Sequence, residues 1–167
     1  MKRNLHLFIF SAFFLVITLN VNAQISNNCA NAIQVCNNQL SEQLDDGFGT
    51  QECPTGGCGC MLAGEKNTRW FKIVVATGGT LEFTIRPYNG TADYDFSVWN
   101  QGTTVAAPYN GACPSGPRLG SPDRCNFAAP ASPTGIVGTT NGNSNGASGN
   151  LFSNNMTVTA GQIIYIM

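Results

Sequence analysis

The apolar segments of this chain are short, and hydrophobic and polar residues alternate within them, which is the pattern of half-buried β-strands. Gly, Asn, Pro and Thr separate the segments, as expected for turns and loops. The clearest segments are 70–75, 81–86, 94–99, 156–159 and 162–167. A chain of 167 residues fits one domain, so the pattern predicts a single all-β domain.

The first two segments predict an antiparallel hairpin from Trp70 to Arg86, because Thr77-Gly78-Gly79 lies between them. The side chains predicted to face inward are Phe71, Ile73, Val75, Leu81, Phe83 and Ile85. The segment Tyr94 to Trp99 predicts a third strand. One face carries Tyr94, Phe96 and Val98, and the other carries Asp95, Ser97 and Trp99.

The strands together predict a jelly-roll-like antiparallel β-sandwich over residues 24–167. The final segment, 163–167, is apolar to its last residue, so we expect an unpaired edge there and an incomplete, truncated domain. Residues 102–150 read as long loops rich in Pro, Gly, Asn and Ser. Within them, 138–150 (GTTNGNSNGASGN) predicts a mobile surface loop that buries nothing; a binding loop or a tolerated insertion both fit it.

The start of the chain predicts a secretory signal peptide, residues 1–23. Lys2 and Arg3 precede an apolar stretch from Leu7 to Leu19, and Val21-Asn22-Ala23 fits a cleavage site. The alternative is a membrane anchor, but about thirteen residues make only ~20 Å of helix against a hydrocarbon core of ~30 Å.

All seven cysteines follow the predicted signal peptide, so disulfides are expected. They are Cys29, Cys36, Cys53, Cys58, Cys60, Cys113 and Cys125. Spacing alone fixes no pairing, but proximity favours Cys29 with Cys36, Cys113 with Cys125, and Cys53 with Cys58 or Cys60, which leaves an odd thiol. A zinc site at 53–60 is the alternative, although its spacing, C-x4-C-x-C, is not that of zinc motifs.

Histidine chemistry is excluded downstream of the signal peptide, because the single histidine is His6. This removes Ser-His-Asp and Cys-His catalysis and histidine-ligated zinc. A pair of carboxylates for glycosidic hydrolysis remains as a minor alternative. Without Lys2 and Arg3, six basic side chains face nine acidic ones, a net charge of −3, so nucleic acid is not an expected partner.

Two sets of residues are candidates for ligand contact. Asp93 and Asp95, with a loop acid such as Asp123 or Asp46, are candidates for Ca²⁺, although calcium takes six to eight oxygens. The alternative is that Asp93 ends a turn and Asp95 faces solvent or pairs with Arg86; no other cofactor is expected. Trp99, Tyr88 and Tyr109 are candidates for stacking on a sugar, with ordinary packing as the alternative. Trp70 is expected in the core, whereas Trp99 is expected to be exposed.

Several short motifs in a fixed order carry a family resemblance. They are Asn28 to Ile33 (NCANAI) with Cys36, Gly64 to Lys72 (GEKNTRWFK), Thr80 to Ile85 (TLEFTI), Asp93 to Phe96 (DYDF), Arg124-Cys125-Asn126 and Val158 to Gln162 (VTAGQ). This order resembles the N-terminal domain of secreted surface proteins of Bacteroidetes, which often carry a gliding-motility-associated C-terminal domain. The DYDF and VTAGQ motifs are also similar to the pre-peptidase C-terminal type of accessory module.

Both resemblances imply a jelly-roll-like sandwich with no catalytic chemistry of its own. We therefore expect a non-catalytic extracellular module for adhesion or surface attachment, the N-terminal part of a larger protein, secreted or at the cell surface of a Gram-negative bacterium. The expected partner is a glycan or a cell-surface protein. The alternative is an accessory substrate- or carbohydrate-binding module of a secreted hydrolase. The Cys53 to Cys60 segment departs from the resemblance as an insertion, and the sorting domain for type IX secretion is not in this sequence.

Overall fold

The structure is a computed structural model of the chain and describes residues 26–36, 38–40, 49, 59–61, 67–88, 92–103, 121–129 and 133–167. The predicted signal peptide lies outside the described residues. So do Asp46, Cys53, Cys58, Tyr109 and Cys113.

The described residues form strands and one short 3-10 helix, Cys29–Asn31, so the predicted all-β fold is confirmed. The strands are β1 Ile33–Gln34, β2 Phe71–Val74, β3 Gly79–Leu81, β4 Phe83–Ile85, β5 Phe96–Asn100, β6 Arg124–Asn126, β7 Thr134–Ile136, β8 Ser144–Asn145, β9 Phe152–Ser153, β10 Met156–Val158 and β11 Ile163–Ile166. Within the described residues, no helix is long and apolar enough to cross a bilayer.

The strands pack as a β-sandwich of two layers. One layer is a six-stranded sheet in the order β1-β2-β11-β5-β6-β8, and the other holds the pair β10-β3 and the trio β4-β7-β9. Most neighbours are antiparallel, but β1–β2, β6–β8 and β7–β9 are parallel, so the sheets are mixed. The alternating pattern sends one face of each strand into the space between the layers. Buried there are Val75, Phe96, Val98, Ile136, Met156, Val158, Ile164 and Ile166.

The inward faces predicted for the early strands are confirmed, but the hairpin is wrong. Phe71 and Ile73 of β2, and Leu81, Phe83 and Ile85 beyond the turn, all pack on this core. However, β2 pairs with β1 and β11, whereas β3 pairs with β10 and β4 with β7. The turn at 76–78 carries the chain from one layer to the other, because each layer needs an apolar face to oppose the other.

The last strand lies inside the six-stranded sheet and not at its edge. β11 pairs antiparallel with β2 on one side and with β5 on the other. The Met167 backbone N–H donates to the Ser97 carbonyl at 2.9 Å, and the Ser97 N–H donates back at 3.0 Å. The expectation of an unpaired apolar edge is therefore wrong: the uninterrupted apolar run reflects a strand buried on both faces.

At one side of the sandwich the inner face changes from apolar to polar. Asn126 of β6 and Asn145 of β8 are register neighbours, and both side-chain amides donate to Ser153 Oγ, at 3.4 and 3.1 Å. The Ser153 hydroxyl in turn donates to the Cys125 carbonyl at 3.0 Å. Because these side chains are buried and bonded to one another, they set the register of parallel strands that have little apolar surface.

This polar network corrects the expectation for residues 138–150. The tract contains β8, and Asn145 is buried, so the statement that it buries nothing is wrong. The backbone N–H groups of Cys125 and Phe127 donate to the Asn143 and Asn145 carbonyls at 3.0 and 3.1 Å. Hydrogen bonds from buried asparagine amides hold these strands in place of apolar contacts, and a hydropathy pattern cannot predict such bonds.

We predict that Ser153→Ala lowers the free energy of unfolding by roughly 1–3 kcal/mol, because it removes the acceptor of two buried amides and the donor to a buried carbonyl. Urea denaturation followed by circular dichroism measures the change. Ser144→Ala, an exposed serine on β8, is the matched control and should change stability by less than ~0.5 kcal/mol. Equal midpoints for the two variants would show that the network adds no stability.

The cysteine pairs differ from those predicted by proximity. Cys60 is bonded to Cys125, with Cα atoms 5.9 Å apart. Cys29 is disulfide-bonded and Cys36 is a free, exposed thiol, so the Cys29–Cys36 pair is wrong. Because Cys60 and Cys125 are bonded to each other, the predicted pairs Cys113–Cys125 and Cys53–Cys60 are also wrong, and Cys60 is not available as a zinc thiolate. A bridge across 65 residues is worth about 4 kcal/mol in the chain-entropy model.

Gly135 in the middle of β7 allows the two neighbouring strands to approach. Its φ is +148°, a backbone angle that residues other than glycine rarely adopt. A Cβ atom at this position would overlap the Phe83 carbonyl of β4. We predict that Gly135→Ala lowers the unfolding free energy by about 2 kcal/mol or more. Gly79→Ala in β3 is the control, since nothing lies within 4 Å of its Cβ position. Thermal unfolding of both variants checks this, and equal melting temperatures would contradict it.

Candidate functional site

The residues predicted to contact ligands fall on two separate surfaces. Tyr88, Asp93 and Asp95 lie on the connection between β4 and β5, at the end of the sandwich; we call residues 86–88 and 92–95 the loop end. Trp99 lies on the outer face of the six-stranded sheet. Its side chain is buried, whereas that of Tyr88 is exposed. The third aromatic candidate, Tyr109, lies outside the described residues.

Tyr88 is the most exposed large apolar side chain that the structure describes. It follows Pro87, whose ring fixes φ and removes a backbone donor, so the chain leaves the sheet immediately after β4. A fully exposed tyrosine presents a flat ring and a hydroxyl group to solvent. This combination is enriched in protein contact surfaces, since a large area is covered at low entropic cost.

The two aspartates of the loop end lie in sequence just before β5. Asp93 and Asp95 are both exposed, as the alternative interpretation predicted for Asp95. The pKa of Asp95 is raised, first by partial desolvation of its carboxyl group and second by the charge of Asp93. Neighbouring carboxylates oppose each other's ionisation in this way.

Asp123, proposed as a further calcium ligand, is not part of this pair. Its carboxylate accepts a hydrogen bond from the Asn100 backbone N–H at 2.7 Å, at the other end of β5. The length of the strand therefore separates it from Asp93 and Asp95, and the prediction of a shared site is wrong for Asp123. Among the described residues, no three His, Cys, Asp or Glu side chains come together as a metal site.

A second carboxylate with a shifted pKa ties the two small sheets together. Glu82 lies between β3 and β4, and its Oε1 accepts hydrogen bonds from the Gly138 N–H at 3.0 Å and the Asn155 amide at 2.8 Å. The Asn155 bond, and then the Gly138 bond, lower the pKa of Glu82 because both favour the charged form. Sequence alternation placed Glu82 outward but gave no sign of these partners.

Glu82 and Asp95 should have opposite effects on stability as pH changes. The lowered pKa of Glu82 means that its contribution is present above the unfolded pKa and is lost as pH falls through the folded pKa. The raised pKa of Asp95 means that its contribution is present at acid pH and is lost as pH rises through the folded pKa.

We therefore predict that Glu82→Gln is less stable than the wild type at neutral pH, and that Asp95→Asn is more stable. Both differences should shrink below about pH 4, where the carboxyl groups are protonated. Urea midpoints measured from neutral to acid pH check the signs. Differences that stay constant with pH would show that neither carboxyl group is coupled to folding.

Trp99 lies on the face opposite Phe96 and Val98, as predicted, but the expectation that it is exposed is wrong. It is 1% exposed and stacks on Trp70, with ring centroids 5.5 Å apart and an interplanar angle of 26°. Tyr165 lies directly opposite Trp99 in the pairing of β5 and β11 and is also buried. Burial raises the pKa of Tyr165. We call Trp70, Trp99 and Tyr165 the outer aromatic cluster.

The outer aromatic cluster is buried because segments distant in sequence cover it. Cys29, Ala32 and Met61 all pack on it. The backbone N–H of Cys60, the neighbour of Met61, donates to Cys125 Sγ at 3.1 Å beside the disulfide. Contacts between sulfur atoms and aromatic rings are favourable, which explains why Cys29 and Met61 pack well on these rings.

Burial leaves two donors of the outer aromatic cluster unsatisfied. The indole N–H groups of Trp70 and Trp99 are buried and find no hydrogen-bond acceptor in the part of the chain that the structure describes. A buried donor without a partner costs roughly 1–3 kcal/mol. This cost offsets part of the free energy that the cluster gains from packing its rings.

Sequence reasoning missed Tyr165 and Met61. Tyr165 alternates with Ile164 and Ile166, which marks it as an outward residue of β11, but the outer face was assumed to meet solvent. Met61 carries no local signal, since its role follows from a contact across the fold.

No protein-family model matches this chain, and neither a curated protein nor a solved structure does. The fold, the loop end and the outer aromatic cluster are therefore the features from which function is inferred.

Proposed function

We propose that this chain is a non-catalytic extracellular β-sandwich module that takes part in adhesion or surface attachment. The observation that carries the proposal is the fully exposed Tyr88 on the loop end of a disulfide-bonded sandwich. A rigid scaffold that holds an aromatic side chain in solvent favours recognition, because little entropy is lost when the ring is covered.

Three observations support the extracellular setting. The sequence begins with a pattern typical of a signal peptide, Cys60 and Cys125 form an intramolecular disulfide, and Cys29 is disulfide-bonded as well. Disulfides persist in oxidising compartments and are rare in the cytosol. The resemblance to surface proteins of Bacteroidetes points to the same setting.

The accessory module of a secreted hydrolase is the second candidate. The exposed tyrosine favours it equally well, since aromatic rings also contact sugars in such modules. The two candidates differ in the surface that Tyr88 would touch: a cell surface in the first, and an insoluble polysaccharide in the second.

The test measures how the oxidised, purified chain binds to whole bacterial cells and to insoluble cellulose and chitin. We expect retention on cells, and we expect Tyr88→Ala to weaken it by about tenfold or more, as for an aromatic side chain at the centre of a contact. Val74→Thr is the control, because it removes exposed apolar surface on a different face.

Retention on polysaccharide in place of cells would transfer the proposal to the accessory module. Equal binding by the wild type and by Tyr88→Ala would rule out the loop end as the contact. Failure of the wild type to bind any of these surfaces would overturn both candidates.

A further inference from the structure

The outer aromatic cluster combines flat rings with two N–H donors that have no acceptor in the part of the chain that the structure describes. Trp70 and Trp99 stack on one another, Tyr165 continues the row from β11, and both indole N–H groups are buried and unsatisfied among the described residues. Buried tryptophans normally find an acceptor, and packing alone would be served by phenylalanine. The two indole N–H groups could therefore donate hydrogen bonds to a ligand that reaches the cluster only when its covering residues move away.

Two of the described segments pack on the outer aromatic cluster, and each contains a disulfide-bonded cysteine. Residues 26–32 are held by backbone hydrogen bonds: the Trp70 N–H donates to the Ser26 carbonyl at 2.7 Å, and the Ile33 N–H donates to the Trp70 carbonyl at 2.8 Å. Met61 also packs on the cluster, and its neighbour Cys60 is bonded to Cys125 of β6. We call residues 60–61 the cover, because one covalent bond ties them to the sheet beside Trp99.

We propose that the outer aromatic cluster is a covered sugar-binding site, and that reduction of the Cys60–Cys125 bond by a dithiol uncovers it. The inference rests on the proposed function, because it assigns a ligand class and a regulation to a binding module. It concerns a different face from Tyr88, so the two sites can be tested separately.

The reduction is a two-step thiol exchange. A thiolate of the dithiol attacks Cys60 Sγ, since Cys60 is half-buried and Cys125 is fully buried, and the bond between the two cysteines breaks. Cys125 leaves as a thiolate, which the Ser97 hydroxyl stabilises from 3.3 Å. The second thiol of the dithiol then displaces Cys60. The dithiol gives up two electrons and two protons, closes its own disulfide, and leaves two protein thiols.

A sugar fits the uncovered surface on chemical grounds. Its C–H faces stack on aromatic rings, and its hydroxyl oxygens accept hydrogen bonds from indole N–H groups. Lys72 lies opposite Tyr165 in the pairing of β2 and β11, so a sugar carboxylate at that end of the row would meet a cation. Neutral and acidic oligosaccharides are therefore the two arms of the binding test.

The first experiment uses tryptophan fluorescence, because the chain has two tryptophans and both lie in the outer aromatic cluster. Acrylamide should quench the oxidised protein weakly. After treatment with dithiothreitol, quenching should increase several-fold while the β-sheet signal in far-ultraviolet circular dichroism is retained. The double variant Cys60→Ser with Cys125→Ser should behave like the reduced protein without any reductant.

Cys36→Ser is the matched control, since it removes a free, exposed thiol and leaves the cover attached. Met61→Ala retains the disulfide and should by itself increase quenching, which provides a second variant if the double serine variant does not fold. Unchanged quenching in Met61→Ala and in the reduced protein would overturn the cover. Loss of the circular dichroism signal together with increased quenching would also overturn it, because the protein would then be unfolding as a whole.

The second experiment measures binding of cellohexaose and of trigalacturonic acid by isothermal titration calorimetry. We expect one of the two to bind the reduced protein and neither to bind the oxidised protein. Trp99→Phe keeps an aromatic ring and removes one donor, so it should weaken binding by about fivefold to tenfold. Absence of binding by the reduced protein to both sugars would overturn the site.

The outcomes separate this inference from the proposed function. Retention of the oxidised protein on cells depends on Tyr88 and should be unchanged in Trp99→Phe. If cells are not bound while the reduced protein binds a sugar, the loop-end proposal fails and the covered site stands. The reverse result removes only the covered site.

Discussion

The pairing of β11 between β2 and β5 is the interaction on which the rest of the structure depends. Its backbone hydrogen bonds place Ile164 and Ile166 between the two layers and Tyr165 on the outer face beside Trp99. A strand at this central position is buried on both sides, so the same pairing builds the inner apolar core and the outer aromatic cluster. Removal of β11 would separate β2 from β5 and expose both.

The two ends of the six-stranded sheet are stabilised by different forces. From β2 to β5 the layers are held by apolar burial, which has no direction and tolerates exchange between similar side chains. At β6 and β8 the layers are joined by amide and hydroxyl groups with fixed partners, among them Asn126, Asn145 and Ser153. Hydrogen bonds of this kind specify register, which explains how short parallel strands are held at the edge of a sandwich.

Local patterns in the sequence predicted the strands with clear alternation and their inward faces, because alternation is a property of neighbouring residues. They missed β6, β7 and β8, which lie within residues 102–150, a stretch that reads as long loops. Phe71, Ile73, Leu81, Phe83 and Ile85 all pack where alternation placed them. The partners of those strands were not predictable, since the turn at 76–78 allows both a hairpin and a crossing between layers. The candidate site divides in the same way: Tyr88 lies on the turn that follows β4 and is exposed, whereas Trp99 is covered by residues that no local pattern connects to it.

By itself, the sequence determined that the chain is all-β, which faces of its strands turn inward, and that histidine takes no part in the chemistry of residues 24–167. Only the tertiary structure decided which strands pair, that Cys60 bonds Cys125, and that two tryptophans are buried with no acceptor among the described residues. The physical reason is range. Alternation acts over neighbouring residues, whereas pairing, disulfide choice and burial are settled by contacts between segments that meet only when both layers have formed.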